Sequence, residues 1–116
     1  MSPLLLVEDE SELAESCARL LRRRGYRVVV ASSYEEGRAA LTRTAPSLLV
    51  TDVGLPDGDG IALVVAASAL EPAVPAVAMS ALNKNDAAVA AGAIGFLAKP
   101  FTLEDFGRTI DRALGH

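Results

Sequence analysis

Three acids, an alcohol and an amine stand at the ends of four apolar runs in this chain. Leu4-Leu5-Leu6-Val7 ends on Glu8-Asp9, and Leu48-Leu49-Val50-Thr51 on Asp52. Ala76-Val77-Ala78-Met79 ends on Ser80, and Ile94-Gly95-Phe96-Leu97-Ala98 on Lys99-Pro100. In an open parallel α/β sheet, ligands bind outside the carboxyl ends of the strands, so these residues would line one crevice. Hard carboxylate oxygens suit a divalent cation, and a hydroxyl and an ammonium suit the oxygens of a phosphoryl group.

Such a crevice needs strands that alternate with helices, and the chain supplies the alternation five times. A strand near Pro3–Val7 leads into a helix through Leu13, Cys17, Leu20 and Leu21, which stops before Gly25, a left-handed cap. Arg27–Ala31 is the second strand. Ser33 with Glu36 forms a capping-box pattern for a second helix to about Thr44, which Pro46 bars from continuing. Ser47–Asp52 is the third strand. Gly54-Leu55-Pro56-Asp57-Gly58-Asp59-Gly60 is rich in turn formers and reads as a loop. A helix over about Gly60–Leu70 follows, and Pro72 and Pro75 bracket the turn into the fourth strand. A short Ala-rich helix around Asp86–Ala91 leads through Gly92 to the fifth strand. Thr102 with Asp105 caps a last helix through Phe106, Ile110 and Leu114. Alternation of this kind predicts an α/β fold with a parallel sheet covered on both faces.

At 116 residues the chain fits one domain, 1–116, with no repeat, linker or low-complexity tail. Eleven Lys/Arg against fifteen Asp/Glu give a net charge of −4. No basic stripe stands out, which argues against direct nucleic-acid binding. The run Arg22-Arg23-Arg24 reads as a solvated helix end, where cations complement the dipole. One cysteine makes no internal disulfide, no Cys/His cluster offers a zinc site, and Cys17 reads as a small apolar filler. Met1-Ser2-Pro3 lacks the features of a signal peptide, and no apolar stretch reaches the roughly 18 residues needed to span a bilayer. A soluble, cytoplasmic protein without a membrane partner is expected.

Taken together, the acidic pair, Asp52 with its Gly-Pro-rich loop, Ser80 and Lys99-Pro100 resemble the receiver domains of two-component response regulators. The resemblance runs from Leu4 to about Leu114 and implies a flavodoxin-like (βα)5 sheet of strand order 2-1-3-4-5, an order for which a receiver is itself a standard example. It implies that Asp52 is a nucleophile that takes a phosphoryl group from a phosphohistidine. Mg²⁺ or Mn²⁺ would be held by Asp9, Asp52 and the Gly54 carbonyl, with Glu8 acting through bound water. Lys99 and Ser80 would each meet a phosphoryl oxygen, and Pro100 would fix the lysine's backbone, with a cis bond as one means. The implied partners are a sensor histidine kinase or histidine phosphotransfer protein and a downstream protein or output domain. The chain would be a stand-alone regulator or a receiver cut from a longer one, catalysing only its own phosphorylation and dephosphorylation. His116, in the tail, is a poor phosphodonor.

The resemblance also implies a switch in which Ser80 moves inward and Phe96 fills the vacated space. Gly54 and Leu82, two residues beyond acceptor and hydroxyl, would tune phosphoryl lifetime. Blander readings exist: Glu8 and Asp9 as helix caps, Asp52 as a turn residue, Ser80 and Lys99 as surface polar groups. A small aspartyl-phosphate phosphatase of the haloacid-dehalogenase type is a second functional reading, but it requires an acid where Gly54 stands. A receiver-like module that is never phosphorylated is a third. One feature lies outside the resemblance. Between Gly60 and Ala98 the only charged residues are Glu71, Lys84 and Asp86. With Ile61, Leu63, Val64 and Ser68 toward the sheet, Ala62, Val65, Ala66 and Ala69 form an apolar stripe suited to a homodimer or partner, or reflect an alanine-rich composition.

Overall fold

The computed structural model describes residues 2–115. Five parallel strands form the central sheet: β1 (Leu4–Val7), β2 (Val28–Ala31), β3 (Leu48–Asp52), β6 (Ala76–Ser80) and β7 (Gly95–Ala98). Their order is β2-β1-β3-β6-β7, which is 2-1-3-4-5 counted over the sheet strands alone. The register is continuous, with Val7 beside both Ala31 and Thr51, Asp52 beside Met79, and Ser80 beside Ala98. Helices α1 (Ser11–Arg23), α2 (Tyr34–Thr44), α3 (Gly60–Ser68), α4 (Asn85–Ala90) and α5 (Leu103–Ala113) connect and cover the strands.

Because successive strand side chains point to opposite faces, each central strand feeds two cores. Leu4, Leu6, Leu48, Val50, Val77 and Met79 pack with Cys17, Leu21, Phe106 and Ile110 under α1 and α5. Leu5, Val7, Leu49 and Ala76 pack with Leu41, Leu63, Val64 and Ala67 under α2 and α3. Each buried large aliphatic side chain contributes about 1.5–3 kcal/mol, so both faces clamp the strands whose ends carry the polar residues.

The Gly54–Gly60 stretch is a hairpin rather than a plain loop. β4 (Gly54–Leu55) pairs antiparallel with β5 (Gly58–Asp59), and Pro56-Asp57 connects them. Two-residue strands are too short for alternation to show in sequence. At α2, Ser33 Oγ accepts from Glu36 N at 3.1 Å. The second half of the capping box shifts by one residue: Glu36 Oε1 accepts from Ser32 N at 3.1 Å and from the Ser32 hydroxyl. Arg24 is not merely solvated, since its guanidinium forms an ion pair with Asp111 that ties α1 to α5. On α3, Ser68 is exposed and donates to Val65 O, while Ala67 takes the buried position. Ala62, Val65 and Ala69 are exposed as expected, and Ala66 is half-buried. Among the described residues no helix is long and apolar enough to cross a membrane. His116 lies outside the described residues.

Candidate functional site

The four strand ends converge. Glu8 follows β1 and is only 1% exposed. Its Oε1 accepts from Lys99 Nζ at 2.7 Å and its Oε2 from Glu10 N at 3.1 Å. Neither Glu8 nor Asp9 caps α1, whose N-cap is Glu10, without a side-chain cap bond. Lys99 Nζ also donates to Asp52 Oδ2 at 3.2 Å, so one ammonium bridges two carboxylates. Asp9 is exposed, and carboxylate oxygens of Glu8, Asp9 and Asp52 lie within 4.8 Å of one another.

Backbone bonds lock these positions. Val53 N donates to Met79 O at 2.8 Å, carrying the β3–β6 ladder one step past Asp52. Lys99 N donates to Ser80 O at 2.9 Å, which fixes the lysine beside the hydroxyl, and the Lys99–Pro100 bond is cis. Ser80 is buried and its Oγ accepts from Leu82 N at 3.0 Å, which leaves the hydroxyl proton available to a ligand. A cavity of about 520 Å³ opens over the cluster, lined by Asp52, Gly54, Ser80, Leu82, Lys84 and Lys99. Gly54 has open space at its α-carbon, and Leu82, which also lines the cavity, is 67% exposed. Phe96 is half-buried on a small cluster of Val53, Ala78 and Ala88, next to the ends of β3 and β6.

The electrostatics follow from burial and pairing. Burial pushes the Glu8 carboxyl above its ordinary range, against the opposing pull of the Lys99 bond and the Glu10 N–H. Burial alone would lower the Lys99 ammonium, but the hydrogen bond and charge of Glu8, with the charge of Asp52, raise it on balance. Lys99 is therefore held as a cation. Three carboxylates against one ammonium leave a surplus of negative charge, and this donor set fits a hard divalent cation. Both Glu8 oxygens already accept bonds, so Asp9 and Asp52 are the carboxylates best placed for direct ligation, and Glu8 suits a water-mediated contact.

Three contributors were not apparent from the residue pattern. Thr51 is fully buried and donates its hydroxyl to Asp52 O at 3.0 Å. Gly60 passes so near the end of β3 that a Cβ would meet Asp52 O at 1.9 Å, and its N–H donates to Val53 O. Asp57, at the hairpin tip, accepts from Tyr34 N at 2.7 Å and Glu35 N at 3.1 Å, and these two donors hold its carboxyl below the usual range. The glycine was legible as a turn former; the role of Asp57 depends on where α2 lies.

A parallel sheet of this order, with an acidic cluster, a strand-end serine and a lysine close together at one edge, defines an α/β domain of the flavodoxin-like class. The family model of the response regulator receiver domain matches residues 4–111, and the chain belongs to that family. It is similar to the DNA-binding transcriptional regulator NtrC of Klebsiella pneumoniae, with 33% identity over 114 residues, 96% of this chain and 24% of the relative. It is also similar to the transcriptional regulatory protein PrrA of Mycobacterium tuberculosis, with 35% identity over 105 residues, 88% of this chain and 45% of the relative. The chain thus spans from about a quarter to under half of these relatives' length. The non-phosphorylated HemR receiver domain from Leptospira biflexa superposes with a TM-score of 0.90 at 29% identity, covering 100% of this chain and 96% of that one. This is a receiver domain of two-component response regulators.

Proposed function

We propose that this receiver, acting as one domain, accepts a phosphoryl group on Asp52 from the phosphohistidine of a sensor histidine kinase or histidine phosphotransfer protein. The observation that carries the reading is the Lys99 ammonium bridging Glu8 and Asp52, with Lys99, Asp52 and Ser80 lining one cavity. A free Asp52 oxygen attacks phosphorus, the P–N bond to the donor imidazole breaks, and an aspartyl phosphate forms. Lys99 holds positive charge at the reacting carboxylate, and the Ser80 hydroxyl donates to a phosphoryl oxygen. Mg²⁺ or Mn²⁺, held by Asp9, Asp52 and the Gly54 carbonyl with Glu8 through water, would supply the charge neutralisation that an anion attacking an anion requires.

Phosphorylation would draw Ser80 inward and let Phe96 fill the space it vacates, changing the surface of α4, β7 and α5 for a downstream protein or output domain. Gly54 and Leu82 would set the lifetime of the phosphate, and the exposed α3 stripe around Val65 would serve self-association. The cytoplasm, where kinase domains act, is the expected location. The test is incubation with acetyl phosphate and Mg²⁺. Wild type should gain one hydroxylamine-labile phosphate, seen by intact mass, and Asp52→Asn should gain none. Continuous turnover of added phosphate esters would instead indicate a phosphatase, and no labelling at all would indicate a binding module.

A further inference from the structure

We propose that Asp57 is a positioning residue for the metal-binding end of this site: by strapping the hairpin tip to the N-terminus of α2, it fixes the Gly54 backbone. The inference rests on the reading above, in which the Gly54 carbonyl is a ligand. Gly54 has no side chain to pack, is exposed, and has no heavy atom within 4 Å of the place its Cβ would occupy. Its position is therefore inherited from whatever holds the hairpin.

The hairpin cannot hold itself, because it has only two paired residues in each strand and an isolated hairpin is marginal in water even when longer. Its base is fastened at α3, where Asp59 Oδ1 accepts from Ile61 N at 2.8 Å and Gly60 N donates to Val53 O at 2.8 Å. Its tip is exposed, and Asp57 fastens it. One carboxylate takes two helix N–H donors, Tyr34 N and Glu35 N, at the positive end of the α2 dipole. These bonds are not duplicated, since Ser33 Oγ accepts only from Glu36 N. The neighbouring residue sets the spacing: a Cβ on Gly58 would meet Tyr34 Cγ at 2.7 Å, so the strand lies directly against the ring. The Gly54–Asp59 pair adjoins the base anchor and the Leu55–Gly58 pair joins it to the tip, so the strap at Asp57 reaches Gly54 through one intervening pair.

Partners that orient metal ligands alter affinity by about 10–100-fold when they touch the ligand. Asp57 acts through three peptide links of chain and should shift it by less, about threefold to tenfold. The experiment is calorimetric titration of MgCl₂ into wild type, Asp57→Ala, Asp57→Asn, Gly58→Ala and the Gly58→Ala/Tyr34→Ala double variant, well below each melting temperature. Asp57→Ala should bind Mg²⁺ about threefold to tenfold more weakly, and Asp57→Asn, which retains one acceptor oxygen, by an intermediate factor. Gly58→Ala should weaken binding with Asp57 intact, and removing the Tyr34 ring should restore it. If Asp57→Ala does not fold, the Gly58 and Tyr34 variants carry the test. Wild-type affinity in folded Asp57→Ala, or in Gly58→Ala, overturns the inference, since a purely structural cap would lower the melting temperature alone. Absence of saturable Mg²⁺ binding by wild type, or binding indifferent to Asp9→Ala, would refute the metal reading itself.

Discussion

Replacing Lys99 by Met should make the stability of this protein strongly pH-dependent. Lys99 is 18% exposed in its side chain and its partner Glu8 only 1%, at 2.7 Å. Removing one partner of a buried pair costs about 3–5 kcal/mol, because the other charge is left without compensation. Partial solvent access to the lysine and the ability of Glu8 to take up a proton place the expected loss near the lower end, about 3 kcal/mol at neutral pH. In a domain of this size that is a fall of roughly 10–15 °C in melting temperature. The sign follows from Glu8. Burial already raises its carboxyl, and the variant loses the Lys99 bond that opposes burial. A carboxyl whose folded pKa lies above its unfolded value contributes stability present below the unfolded value and lost as pH rises through the folded one.

The deficit of Lys99→Met relative to wild type should therefore be largest at pH 7–8 and shrink as pH falls through the raised range of Glu8 toward the ordinary glutamate range, where the side chain takes up a proton. Subtracting wild type at each pH cancels the opposite contributions of Asp57 and Asp105, whose carboxyls are lowered. Thermal melts by circular dichroism at a series of pH values, with EDTA present, make the measurement. Glu8→Gln placed in the Lys99→Met background should recover much of the loss, because it removes the orphaned charge while keeping the side chain's shape. A deficit that does not vary with pH, or a variant as stable as wild type at pH 7.5, would refute the claim that Lys99 compensates a buried Glu8.

Gly60→Ala should destabilise by about 3 kcal/mol or more, read from denaturant unfolding, because the added methyl meets a backbone oxygen that cannot rotate away. Cys17 is 1% exposed and burial pushes its thiol up to about 12, so native protein at pH 8 should resist a thiol reagent that labels it at once in guanidinium. Gly54→Asn with Leu82→Glu should shorten the lifetime of the aspartyl phosphate, followed by loss of label after acetyl phosphate is removed; both positions line the cavity and have room for the new side chains. Val65→Glu, at a site 50% exposed, should change stability by no more than about 0.5 kcal/mol while weakening any self-association seen by light scattering.

The site was legible because its residues sit at fixed points of a regular element. A parallel strand buried on both faces reads as an unbroken apolar run, and the first polar residue after each run must lie at the ligand-binding edge. Leu4–Val7, Leu48–Asp52 and Ala76–Ser80 are buried throughout, and their carboxyl ends followed from that pattern, while the expected starts at Pro3 and Ser47 fall one residue before the first two strands. Caps were equally local: Ser33 and Thr102 each accept from the N–H three residues on. What could not be read depends on elements distant in the chain. Arg24 meets Asp111 across 87 residues, and Asp57 meets Tyr34 across 23, so nothing in the spacing announces either pair.

The two kinds of information divide along a physical line. The reactive groups must differ chemically from their surroundings, since a carboxylate, a hydroxyl or an ammonium after an apolar run interrupts the pattern. The groups that hold them in place use ordinary turn chemistry, and Asp57 stands among Gly54, Pro56, Gly58 and Asp59, where an aspartate is unremarked. Its distinction arises only when α2 delivers two free N–H groups to it. Those two donors take up a carboxylate at the tip, while in the cluster of three carboxylates one lysine pairs with Glu8 and Asp52. The carboxylate at the hairpin tip is thus hydrogen-bonded by the chain itself, while negative charge is left in surplus at the base, the end where the proposed divalent cation would bind.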